Sequence, residues 1–196
     1  LLGAEQSGFI AEMGFETYMR ILNEAMAELP ENLRPEGEQK IFINSPDTQI
    51  ETDLEVLIPD DYVNVPYEKI RLYKELDTLT EENQIQKFLK ELEDRFGPAP
   101  EQVTELVNVV RLRLAAQKIG MERIVLKKGI MLAYFINNQM SPFYQGEIFA
   151  TVLANLQKYG RRYTLIENAG KLYVKTEGVN TVGRAVALLK NLFDGN

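Results

Sequence analysis

Apolar residues along this chain fall into two spacings, and the change from one to the other outlines the architecture. Phe15, Met19, Leu22, Met26 and Leu29 recur every three or four residues, predicting a helix of about five turns that ends at Pro30. Residues Pro30–Lys40 (PENLRPEGEQK) carry two prolines, a glycine and few apolar side chains, the composition of a linker. Leu54, Val56 and Ile58 alternate within Gln49–Ile58, which predicts a strand stopped by Pro59-Asp60-Asp61. Helical spacing returns at Pro66, a proline suited to a first helical position, with Tyr67, Ile70, Tyr73 and Leu76. Thr80 is the expected N-cap of the next helix, whose Ile85, Phe88, Leu89, Leu92 and Phe96 share one face before Gly97-Pro98 ends it. Another helix starts near Pro100, aligns Val103, Leu106, Val107, Val110 and Leu114, and ends at Gly120.

Beyond Gly120 the spacing shortens. Arg123–Leu126 and Ile130–Ile136 flank Lys127-Lys128-Gly129, and Arg162–Glu167 and Lys171–Lys175 flank Asn168-Ala169-Gly170, so two hairpins are expected with glycine where φ must be positive. Helices are predicted from about Gly146 to Tyr159 and from Val179 to Phe193. The resulting β-β-α-β-β-α order predicts an α+β fold: an N-terminal helix and linker, then helices packed on a small mixed or antiparallel sheet built from hairpins. The domain boundary is expected at the linker, dividing 1–40 from 41–196.

Composition narrows the chemistry. The 196 residues contain no cysteine and no histidine, which excludes disulfides and thiolate ligands and removes the commonest metal ligand and general base. No GxxxxGK[ST] loop is present, so nucleotide binding by this chain is not expected. Acid pairs such as Asp60-Asp61, Glu81-Glu82 and Glu91 with Asp94 could in principle serve a metal or acid-base site, although solvated faces explain them as well. No apolar run is long enough for a membrane helix and no leader-like start is seen, so a soluble, cytoplasmic protein is expected. Net charge is −7, unevenly spread: residues 1–110 hold 9 basic and 24 acidic side chains, residues 111–196 hold 13 and 5. The basic half interleaves Lys127, Lys128, Arg161, Arg162, Lys171 and Lys175 with Tyr134, Phe135, Tyr163 and Tyr173. That mixture supports one functional class, nucleic-acid binding through phosphates and stacking, against the plainer reading of core aromatics and edge-protecting lysines.

A second class comes from a resemblance. Leu1-Leu2-Gly3-Ala4-Glu5-Gln6-Ser7-Gly8, Ile10 and Gly14-Phe15-Glu16-Thr17-Tyr18 are similar to the end of the translocation motif shared by the RecG helicase and the transcription-repair coupling factors. Then come Ile58-Pro59-Asp60-Asp61-Tyr62-Val63, Arg71-Leu72-Tyr73-Lys74, Glu91-Leu92-Glu93-Asp94-Arg95-Phe96-Gly97-Pro98 and Ala115-Ala116-Gln117-Lys118-Ile119-Gly120. In order and spacing they resemble the C-terminal domain of the coupling-factor family, which RecG lacks. Phe9 stands where the family commonly has histidine.

The resemblance implies that the chain is a piece of a longer protein, with 1–40 the end of a motor and 41–196 a regulatory domain. The implied parent is an ATP- and magnesium-dependent translocase on double-stranded DNA that displaces stalled RNA polymerase and recruits UvrA of nucleotide excision repair. No cofactor is implied for this piece, and no catalytic residue. Gly3, Gln6, Ser7 and Gly8 are implied to belong to the translocation motif. Glu91 and Asp94 are implied to dock on the basic surface of the UvrA-binding domain of the same polypeptide, masking it. Their own geometry agrees with an outward position, since they lie three apart and off the apolar face of their helix.

Overall fold

The computed structural model describes residues 48–195. The expected Phe15–Leu29 helix, the linker and the motif residues Gly3, Gln6, Ser7 and Gly8 lie outside the described residues. Within them stand five strands and five α-helices: β1 (Gln49–Thr52), α1 (Pro66–Thr78), α2 (Glu82–Phe96), α3 (Glu101–Lys118), β2 (Met121–Lys127), β3 (Ile130–Phe135), a 3-10 turn (Pro142–Gln145), α4 (Glu147–Lys158), β4 (Thr164–Asn168), β5 (Lys171–Glu177) and α5 (Val182–Asp194). The sheet order is β1-β2-β3-β5-β4. β1 runs parallel to β2, with Ile50 beside Ile124, and every other pair is antiparallel. The fold is α+β with a mixed sheet.

Each hairpin turns at two residues with positive φ. Lys128 (53°) and Gly129 (73°) join β2 to β3, and Ala169 (50°) and Gly170 (76°) join β4 to β5. Both are the left-handed pairs that match the twist of two-residue hairpins. Sequence assigned that conformation to the glycine alone; in each hairpin a residue with a side chain shares it.

The strand predicted over Gln49–Ile58 is shorter than expected. Asp53 N makes a last ladder bond to Leu126 O, while Leu54 N turns back to Thr52 Oγ1 and the Asp53 carboxylate caps Lys128 N. The partner strand has by then reached its turn, so residues beyond Asp53 have no ladder to join. Val56, Leu57 and Ile58 are nevertheless all buried, and Ile58 N donates to the Tyr73 hydroxyl at 2.8 Å.

The helices cover one sheet face. Ile124, Leu126, Met131, Ala133, Phe135 and Val174 point toward them and are almost completely enclosed. α3 is the central element. It buries Val103, Leu106, Val107, Val109, Val110 and Leu112 around much of its circumference, where the sequence had aligned a single stripe through Leu114, which is only half-buried. A helix apolar around most of its surface belongs inside a core. Buried Arg113 meets Asp77 of α1 at 2.9 Å, and Arg111 meets Glu82 of α2 at 2.8 Å, so ion pairs tie the earlier helices to α3. α2 starts one residue later than Thr80 suggested: Glu81 is the N-cap, and Gln84 reaches back to accept from Thr80 N. Ile85, Phe88 and Leu92 of α2 are buried, each worth roughly 1.5–3 kcal/mol relative to exposure. Gly120, at φ 69°, lies against the Phe143 ring so closely that a Cβ there would overlap it.

Candidate protein-docking corner

Three of the motif segments that stand out in the sequence, Ile58–Val63, Arg71–Lys74 and Glu91–Pro98, meet around the end of α2. Gly97 closes the helix with φ 88°, a conformation that glycine adopts without steric cost, and its N–H bonds to Glu93 O. Tyr62, from the turn after Pro59, donates its hydroxyl to Gly97 O at 2.6 Å and sets its ring 5.9 Å from that of Phe96. Partial burial, with Glu93 nearby, pushes the Tyr62 phenol above its ordinary range. Arg95 lies 4.8 Å above the Phe96 ring and bonds to Glu68 of α1, which also accepts from Arg71 at 2.8 Å. Hydrogen bonding from Arg95, with Arg71 adding to it, holds the Glu68 carboxyl below the usual range. The Glu93 carboxylate accepts from Ala99 N at 3.2 Å. Asp60 pairs with the buried Lys69 at the other side of the same turn. These contacts brace the corner from three segments, so a side chain projecting from it has a fixed backbone beneath it.

Glu91 and Asp94 project from this corner. Both are exposed, on the side of α2 away from Ile85, Phe88 and Leu92. Glu91 lies 3.9 Å from Lys87, with both side chains more than half open to solvent, and Asp94 has no ion pair among the described residues. An exposed pair of this kind is worth about 0.2–1 kcal/mol at most, so it is easily given up to a partner. Neighbouring Glu68 and Glu93 are already committed to internal donors.

The basic residues of the second half divide. Lys127, with Arg123, faces Glu51 of β1, and Lys128 sits in the β2–β3 turn. Lys171 begins β5 beside the other turn. Arg161, Arg162 and Lys175 line one groove, joined by Arg184 of α5, which sequence reasoning did not include. The local signal for Arg184 was Thr181, whose hydroxyl accepts from Arg184 N and caps the helix three residues earlier. Phe135 and Tyr163 are core residues, the latter donating to Leu188 O at 2.7 Å, and are not available for stacking. Tyr134 and Tyr173 pair with each other across β3 and β5, centroids 4.8 Å apart, on the sheet face opposite the helices. Among the described residues no group of His, Cys, Asp or Glu could hold a metal, and no helix is long and apolar enough to cross a membrane.

Fold and corner define a class: a helix-rich α+β domain on a mixed five-stranded sheet, with exposed acids on a braced helix end. Residues 52–145 match the TRCF domain family. The chain is 31% identical over 166 residues to the transcription-repair-coupling factor of Escherichia coli (strain K12), covering 84% of this chain and 14% of that protein. It is 34% identical over 142 residues to that of Rickettsia prowazekii, covering 72% and 12%. A crystal structure of the C-terminal domain of transcription-repair coupling factor has the same fold, with TM-score 0.61 and 17% identity, over 77% of this chain and 98% of that one. The chain belongs to the transcription-repair coupling factor family, as its C-terminal TRCF domain, and spans about one-seventh or less of the length of these curated relatives.

Proposed function

We propose that this domain is the regulatory end of a transcription-repair coupling factor and acts as a releasable lid. Residues 41–196 dock, through Glu91 and Asp94, on a basic surface of the UvrA-binding domain elsewhere in the same polypeptide and mask it. Residues 1–40, with Gly3, Gln6, Ser7 and Gly8, form the end of the translocation motor, and the parent is an ATP- and magnesium-dependent translocase on double-stranded DNA that acts on RNA polymerase. The piece itself is non-enzymatic in this reading. One observation carries it: Glu91 and Asp94 are exposed on a braced corner whose neighbouring acids Glu68 and Glu93 are already engaged. Arginines on a partner can take both carboxylates in charge-assisted hydrogen bonds without disturbing the fold. The bonds need to be modest, because a lid must open when its alternative state is favoured by only a few kcal/mol.

Binding of this chain to the separate UvrA-binding domain, measured calorimetrically, tests the proposal. Replacing both acids (E91A/D94A) leaves the melting curve unchanged and weakens binding at least 30-fold, about 2 kcal/mol. Equal affinity of the folded double variant would refute the docking assignment.

A further inference from the structure

Arginines in this domain fall into two groups. Arg71, Arg95, Arg111, Arg113 and Arg123 each meet a carboxylate. Arg161, Arg162 and Arg184 meet none among the described residues, and these three line a single groove of about 450 Å³ between the start of β4, the end of β5 and α5. Lys175 adds a fourth cation, and Glu177, 3.6 Å from it, is the one acid on the lining. Cations gathered in one depression repel one another, and chain elements far apart in sequence bring them there, so the arrangement is unfavourable until an anion enters. Thr176 also lines the groove; it is 4% exposed, and its hydroxyl has no hydrogen-bond partner.

Charge and shape discriminate between anions. Guanidinium forks match phosphate and carboxylate alike, but a groove for a peptide also needs apolar pockets for anchoring side chains. This lining offers only two aliphatic residues among nine, Ile166 and Leu188, while exposed Thr164 supplies a hydroxyl. Arginines with hydroxyl donors and little apolar surface are the usual equipment for phosphodiester contacts, which position a nucleic acid without reading its sequence. We propose that the groove formed by Arg161, Arg162, Lys175 and Arg184 is a sequence-independent binding site for a nucleic-acid phosphate backbone. It shares no residue with the acidic corner at Glu91 and Asp94, so the domain presents a docking surface of each sign.

The test uses the 196-residue chain with a fluorescently labelled 30-base-pair duplex, followed by anisotropy over a salt series. Wild type binds at low salt, with affinity falling linearly on a log–log plot. The triple variant R161A/R162A/R184A binds at least 10-fold more weakly, and its salt slope is smaller by about 2 to 3, since each phosphate contact contributes about 0.9. A control that removes three cations elsewhere (K118A/K127A/K128A) keeps the wild-type slope to within one contact. Absence of duplex binding by wild type at low salt overturns the proposal, as does equal loss in the control variant. So does inorganic pyrophosphate stabilising the wild type against heat when the duplex does not bind, which would make the groove a small-anion site. Displacement of the duplex by poly-glutamate at equal charge concentration would show an acidic-peptide site instead.

Discussion

Glu105 should be worth far more than its place on a surface-facing turn of α3 suggests. Its two carboxylate oxygens accept from Val182 N at 2.5 Å and Gly183 N at 3.2 Å, the first two N–H groups of α5. A carboxylate from one helix thus caps the positive end of another, 77 residues away. In a Glu105→Ala variant both N–H groups lose their acceptor, at a buried Val182 and a half-buried Gly183. A stranded buried donor costs about 1–3 kcal/mol, and the lost charge at the helix end another 0.3–1. Alanine's better helix propensity returns a few tenths. The net expectation for Glu105→Ala is a loss of about 2–3 kcal/mol, and for Glu105→Gln, which keeps an acceptor but no charge, about 1. At roughly 2–4 °C per kcal/mol for a domain of this size, alanine lowers the melting temperature by about 5–10 °C. Urea unfolding followed by circular dichroism measures both. If the two variants lose the same amount, and less than about 1 kcal/mol, the cap is not what joins α5 to α3.

The Asp77–Arg113 pair gives a second test: both side chains are more than nine-tenths buried, so Asp77→Ala should cost about 3–5 kcal/mol in urea unfolding, and a loss below 1 would contradict it. pH dependence follows from Glu68 and Glu82. Arg95 holds the first carboxyl below its ordinary value, and hydrogen bonding from Arg111, opposed by burial, does the same for the second. A depressed folded pKa means that both contribute stability above the ordinary glutamate range and lose it as pH falls through their folded values. With no histidine in the chain, the urea midpoint should stay flat from about pH 7 to 5.5 and drop below about pH 4.5. Arg111→Met should make that acid drop shallower, and an unchanged profile would refute the role given to the Arg111–Glu82 pair.

How far the chain could be read depended on how local each determinant is. Pro66 at a helix start, Gly97-Pro98 and Gly120 at helix ends, and the Lys128-Gly129 and Ala169-Gly170 turns act through φ, steric clash and missing donors within a few residues. They give the same instruction whatever surrounds them, and the elements they bound lie within a few residues of expectation. The exposure of Glu91 and Asp94 was legible for the same reason: helical periodicity alone puts them off the apolar face.

What depended on distant partners was not legible. β1 stops at Thr52 because β2 has turned by then, and no alternation within Gln49–Ile58 records where a strand more than 70 residues away ends. Phe135 and Tyr163 looked like candidates for stacking and proved to be core, since the sequence shows only that a residue is aromatic, not which sheet face the helices cover. Arg184 joins Arg161 and Arg162 only when α5 packs beside the β4–β5 hairpin. By itself, then, the sequence determined the elements, the α+β class and the acids that face outward, because each rests on neighbours in the chain. Tertiary structure alone decided the parallel β1–β2 pairing, the capping of α5 by Glu105 and the gathering of Arg161, Arg162 and Arg184 in one groove, because each is a contact between segments that only packing brings together.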